Sequence, residues 1–188
     1  MISYNGMKSE RQTSNNALPA GAYIVEILNV QTADVKTGKQ LVVSFDVCEG
    51  EYINFFRNDY KSNSSQNKKW RGVYRLGIPV EGSEYFEIQK RVFNNFLWAI
   101  EESNPGYVFD GEEKRLVGKH FGALFRNKEW EYNGKTGWTS ECASVTSVPC
   151  IESGDYKLPA DKPLKKEDAP VSTASNSVYA AAVIGDVT

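Results

Sequence analysis

Ser83–Ser103 reads SEYFEIQKRVFNNFLWAIEES, and where this stretch falls among the strands decides the fold. Tyr85, Ile88, Val92, Phe96 and Ile100 recur at spacings of three and four, with Phe93 and Leu97 beside them. That is the period of an amphipathic helix. Ser83 is the expected N-cap, and Asn104-Pro105-Gly106 ends the helix. The stripe reads as core, with Val92, Phe96 and Ile100 the residues expected to be buried.

On the N-terminal side, Leu18-Pro19-Ala20-Gly21 is a turn that opens the fold. Ala22–Val30 (AYIVEILNV) is rich in aromatic and β-branched residues and reads as a strand. Lys36-Thr37-Gly38-Lys39 is a turn with two cations at its tip. In Leu41–Cys48, Leu41, Val43, Phe45 and Val47 share one face, and Ser44 and Asp46 fall on the other. That period of two marks a half-buried strand. A third strand is expected over Tyr52–Arg57. On the C-terminal side, Leu116–Tyr132 and Gly137–Val148 read as partner strands. Asn133-Gly134 between them is a two-residue hairpin signal, because both residues tolerate positive φ. In that register Trp138 sits opposite Glu129.

Three strands, a helix and a two-strand hairpin is the element order of a five-stranded Greek-key OB-fold barrel, with its helix between the third and fourth strands. A split sandwich, or an α+β sheet with one packed helix, has the same order. The expected fold is therefore mainly β and of the OB type, spanning 18–157. Residues 1–17 read as a flexible N-terminus. Residues 158–188, rich in Pro, Ala and Ser with alternating charges, read as a disordered tail.

The most distinctive composition lies in Phe55–Arg75, FFRNDYKSNSSQNKKWRGVYR. Arg57, Lys61, Lys68, Lys69, Arg71 and Arg75 stand there against the single acid Asp59, interleaved with Phe55, Phe56, Tyr60, Trp70 and Tyr74. The whole chain has a formal net charge of -2, so the basic cluster is local. Cations track phosphates and flat rings stack on unpaired bases, which is what single-stranded nucleic acid requires. The plainer reading is a solvated loop whose aromatics tuck into the core. A second constellation lies on the hairpin, where Arg126, Lys128, Trp130 and Tyr132 share a strand face and Glu129 and Glu131 point the other way. In an OB-fold the first and last interstrand loops flank the nucleic-acid groove. Here those loops carry Lys36 and Lys39, and then Lys135 with the hairpin residues.

LPAGAYIVEILNVQTADVKTGKQLVVSFDV and GKHFGALFRNKEWEYNG resemble segments of phage-encoded OB-fold proteins related to single-stranded-DNA-binding proteins. The resemblance covers roughly residues 18–150. It implies binding of single-stranded DNA in phage replication or recombination, with Lys36, Lys39, Arg126, Lys128 and Trp130 in the groove. The implied partners are single-stranded DNA and phage replication or recombination proteins, with self-association left open. Bacterial single-strand binders usually close on an acidic tip ending Pro-Phe. This chain ends Val183-Ile184-Gly185-Asp186-Val187-Thr188, which puts partner recruitment through the tail in doubt.

Catalysis finds little support. His120 is the only histidine and falls inside an expected strand. There is no GxSxG, Walker loop, HExxH or dinucleotide-binding turn. The chain is therefore expected not to be an enzyme and to hold neither cofactor nor metal. Two alternatives stand beside DNA binding. Asp46, Glu49 and Glu51 suggest a metal-dependent nuclease, although they read more simply as the solvent face and turn of a strand. The acidic balance suits a protein-binding module, such as a phage inhibitor of a host factor. Three cysteines, Cys48, Cys142 and Cys150, with no CxxC spacing, argue against a zinc site or a disulfide framework. With no apolar run of about 20 residues and no apolar signal-peptide core at the start, the expected place is the cytoplasm of a bacterial host, away from membranes.

Overall fold

A computed structural model describes residues 17–36 and 38–164. The fold is mainly β, one five-stranded antiparallel sheet with three α-helices. The strands are β1 (Gly21–Val35), β2 (Gly38–Val47), β3 (Val73–Gly77), β4 (His120–Tyr132) and β5 (Lys135–Thr146). The helices are α1 (Phe55–Ser62), α2 (Phe86–Ser103) and α3 (Val148–Ser153). The order across the sheet is β3-β2-β1-β4-β5, so β3 and β5 are its two edges and the sheet is not closed by hydrogen bonds.

β2 places Leu41, Val43, Phe45 and Val47 inward, each essentially without exposure, as its alternation requires. Phe45 is the centre of an edge-to-face ring cluster, with centroids 5.8 Å from Phe56, 5.6 Å from Phe121 and 6.2 Å from Phe125. Such tilted packing sets the positive ring edge against the negative face. α2 lies between β3 and β4 in the chain and packs on β3, β4 and β5. It buries Phe96, Ala99 and Ile100, with Val92 half-buried beside them. It thus sits across the gap between the sheet's two edges. Phe96 meets Phe121 at 5.8 Å and Tyr74 at 6.1 Å, and Asn95 Nδ2 donates to the Val145 carbonyl of β5 at 3.1 Å. Asn104 closes the helix by donating to the carbonyls of Ile100 and His120 and accepting from the His120 N–H.

Several expectations need correction. Tyr52–Arg57 is a turn running into α1 and forms no strand, whereas the third strand is Val73–Gly77, inside the segment read as basic loop. The helix of that turn is stabilised from outside its own sequence. Asn54 at its start has φ 59° and gives no side-chain cap. Asp46 of β2, only 3 % exposed, caps it instead. Its Oδ1 accepts from Val47 N and Phe56 N at 2.9 Å, and its Oδ2 from Arg57 N at 3.0 Å. Asp46 is therefore a buried cap and no part of a solvent face, and it satisfies the orphan donors of a helix start. The single expected helix becomes three; α3 is capped by Ser147, whose Oγ accepts from Cys150 N. α2 begins three residues later than Ser83, although Ser83 Oγ still accepts from Tyr85 N at 3.2 Å.

The hairpin follows the expected register. Tyr132 pairs with Lys135 and Glu129 with Trp138, and the turn residues Asn133 and Gly134 have φ 50° and 71°. Most of the expected flexible N-terminus and tail lies outside the described residues. Of the tail, residues 158–164 are described, and Lys162 forms a parallel bridge to Lys128. No helix among the described residues is long and apolar enough to cross a membrane.

Candidate nucleic-acid interface

β3 presents Tyr74 and Leu76 to the core and Arg75 outward. α2 presents Arg91, Val92 and Asn95 toward the same gap, and the hairpin presents Arg126 with Glu141–Ser144. Together they line a groove of about 530 Å³. Three arginines from three separate elements thus converge on it. Among the described residues neither Arg75 nor Arg91 has a carboxylate partner. Arg126 donates through Nε at 3.1 Å and Nη2 at 2.7 Å to Glu141 Oε1, and Lys128 Nζ lies 3.0 Å from Glu141 Oε2. Burial raises the Glu141 pKa, but the hydrogen bonds and charges of these two cations outweigh it, so the carboxyl lies below its ordinary value. Two cations on one carboxylate leave the group net positive.

Along β4 the same strand face continues from Arg126 through Lys128 to Trp130 and Tyr132. Six residues at about 3.4 Å each give a track of roughly 20 Å. Trp130 lies over Gly137, whose missing side chain makes room for the indole; a Cβ there would come within 2.7 Å of the ring. Trp130 is 38 % exposed, and Tyr132 is 72 % exposed.

β3 and β5 run in the same sense, since both lie antiparallel to strands that are themselves antiparallel to β1. Residues preceding β3 therefore lie toward the hairpin end of the gap. These are Lys68, Lys69, Trp70 and Arg71. Arg71 forms a two-point pair with Asp59, Nε to Oδ2 at 2.7 Å and Nη2 to Oδ1 at 2.5 Å. Lys68 Nζ sits 4.5 Å from the Tyr60 ring centroid, a cation–π contact. Lys69 is exposed. Lys39 marks the other end of β3, where its carbonyl accepts from Ile78 N, and exposed Lys36 lies just beyond at the β1–β2 tip.

Other expected site residues serve the fold. Tyr74 is 7 % exposed with its ring on Phe96, and burial pushes its hydroxyl pKa up to about 12. Trp70 is half-buried against the core, and its indole N–H donates to the Phe45 and Gly72 carbonyls, both at 3.1 Å. Gly72 permits this, because a Cβ there would collide with the Phe45 carbonyl and the Phe56 ring. Arg57 lies away from the gap, lining a cleft with Glu26, Asp46 and Cys48 and donating to Asn54 Oδ1. Lys61 is exposed on α1, and Lys135 is exposed at the hairpin turn. The arginine missed by sequence reasoning is Arg91, which carries no signal among helix-surface residues. Glu141 was also missed, although the Asn133-Gly134 register already places it opposite Arg126.

Among the described residues no three His, Cys, Asp or Glu side chains gather to hold a metal ion. The three cysteines are free. Burial, with Glu49 and Glu26 nearby, pushes the Cys48 thiol up to about 11, and burial likewise raises Cys142. Burial also raises the Tyr23 hydroxyl to about 12. A raised pKa favours the folded state while the group stays protonated. That contribution is complete below the unfolded pKa of about 9–10 and is lost as pH rises through 11–12. Alkaline titration should therefore leave the melting temperature flat to about pH 9 and lower it steeply above, whereas a flat profile to pH 12 would contradict the burial of these groups. In denaturant all three thiols should react with a thiol reagent; at pH 8 in the folded protein Cys48 and Cys142 should react more slowly.

Neither a family model nor a curated protein matches the chain.

Proposed function

We propose that this protein binds single-stranded DNA, without strong sequence preference, in the gap between the two sheet edges and along the hairpin face. The observation that carries the reading is the convergence of Arg75, Arg91 and Arg126 on one groove that runs on into a face bearing Trp130 and Tyr132. Guanidinium groups take phosphate oxygens in a planar two-point fork. Exposed rings beside them offer stacking surfaces that any unpaired base fits. A duplex has its bases already stacked and presents no such partner.

The sheet order supports an OB-type reading of the fold. Joining β3 to β5 would close the five strands into a barrel, and α2 packs across that seam. In this reading the two tryptophans first assigned alike have different duties. Trp130 stacks on bases. Trp70 anchors the basic segment to β2 and so holds Lys68, Lys69 and Arg71 at the groove's end. The context implied by the sequence resemblance is phage DNA replication or recombination. The chain acts as a binding protein in that setting, with no catalytic step of its own.

The two tryptophans give a direct prediction. Trp130→Ala should weaken oligo-dT binding by about 1–3 kcal/mol, roughly five- to a hundredfold, with little change in melting temperature. Trp70→Ala should instead lower stability by about 2–3 kcal/mol, because it vacates a half-buried site. Chemical denaturation alongside fluorescence anisotropy separates the two losses. Equal affinity of folded Trp130→Ala and parent would remove that ring from the interface. The general test is competition among single-stranded DNA, single-stranded RNA and duplex DNA of equal length. Single-stranded DNA should compete best, and a duplex that competes equally would overturn the assignment.

A further inference from the structure

β4 is longer than the β1 segment that pairs with it. Pairing with β1 ends at Gly21–Phe125, which leaves the β1-side edge of β4 open from Arg126 onward. An open strand edge presents unpaired N–H and C=O groups to any extended chain. Here a short piece of the chain's own C-terminal region occupies it. Lys162 N donates to Asn127 O at 2.8 Å, and Glu129 N donates to Lys162 O at 2.9 Å. Asp161 accepts from Asn127 N at 3.1 Å and from Asn127 Nδ2 at 3.2 Å. Leu164 N donates to Glu129 Oε2 at 3.0 Å.

Composition alone marks this region as tail, yet five hydrogen bonds fasten three of its residues to one strand edge. Leu158 ahead of it and Leu164 at its end remain exposed, so little apolar burial holds the segment. The hydrogen-bond pattern makes Lys162 the parallel partner of Lys128. Paired residues in neighbouring strands project to the same face. Lys162 is thereby delivered to the face that carries Arg126, Lys128 and Trp130.

We infer that Asp161–Leu164 is a clip that adds a sixth, short strand beside β4 and places Lys162 in the phosphate track. This rests on the proposed single-stranded-DNA reading and names a further contact for it. The clip widens the basic face on the side away from Glu141.

The test uses the full chain with oligo-dT as probe and two readouts. Amide hydrogen exchange at Glu129 reports the clip without DNA. It should be slow in the parent and faster in Asp161→Ala and in Lys162→Pro, which lacks the N–H given to Asn127. Fast exchange at Glu129 in the parent would overturn the clip. Salt-dependent titration reports the contact. Lys162→Ala should flatten the plot of log affinity against log salt by about 0.7 and weaken binding about fivefold at 0.1 M salt. Lys157→Ala, outside the clip, should leave the slope unchanged. An unchanged slope in Lys162→Ala, in a parent that binds and is protected at Glu129, would overturn the contact and leave the DNA reading intact. A parent that is protected at Glu129 but binds no oligo-dT would overturn the DNA reading, and with it the role given to Lys162, while keeping the clip.

Discussion

Asp46→Ala is expected to lower the unfolding free energy by about 3–5 kcal/mol, the loss associated with leaving buried partners of a charge unsatisfied. The carboxylate is 3 % exposed and accepts from three backbone N–H groups, two of them at the start of α1. Alanine leaves those donors buried, and α1 has no side-chain cap of its own to replace it. The melting temperature should fall by roughly 10 °C, at about 2–4 °C per kcal/mol for a chain of this size. Asp46→Asn, which keeps one acceptor oxygen, should fall less. The effect reaches the proposed site, because Phe56 seats α1 against Phe45 and Phe125, and Asp59 of the same helix holds Arg71. A melting temperature unchanged in Asp46→Ala would mean that α1 is not fastened through β2.

Arg75→Glu combined with Arg91→Glu is expected to weaken single-stranded DNA binding by about a hundredfold or more at 0.1 M salt. Each cation lost removes about 0.7 from the salt slope on single strands, about a fivefold loss at that salt, and reversed charge adds repulsion. Both side chains are exposed and among the described residues have no carboxylate partner, so stability should change little. Surface changes of this kind usually stay within about 0.5 kcal/mol. The same double change made with Lys114 and Lys157, away from the groove, serves as the control for net charge. Equal losses in the two pairs would reduce the groove to a general effect of charge.

Much of the fold was legible where local pattern and tertiary role agree. The alternation of Leu41, Val43, Phe45 and Val47 predicts the buried face of β2, and the stripe in Ser83–Ser103 predicts α2. Asn133-Gly134 predicts the hairpin and its register down to the Glu129–Trp138 pair. The misses have separate causes, the first of which is control from a distance. Tyr52–Arg57 has strand-forming side chains, but Asp46, remote in sequence, caps Phe56 and Arg57 into a helix. Val73–Gly77 alternates correctly, with Tyr74 and Leu76 inward, yet its five residues are embedded in a run whose charge dominates the reading. Register shifts at Leu28 in β1 and at Ala143 in β5 leave no sequence signature. α3 was missed, although Ser147 followed by Pro149 is a helix-start pattern. Of the candidate site, the strand face Arg126–Tyr132 follows from the hairpin alone. The groove does not, because Arg75, Arg91 and Arg126 meet only once α2 packs against both β3 and β5.

The most direct test is a titration of the intact chain with oligo-dT, followed by tryptophan fluorescence across a series of salt concentrations. Binding should quench the emission through Trp130 and weaken as salt rises. The slope of log affinity against log salt should amount to several phosphate contacts at about 0.7 each, as cations at the groove and hairpin require. Absence of quenching and of any salt-dependent binding at 50 mM salt would contradict a single-stranded-DNA interface at the edges of this sheet.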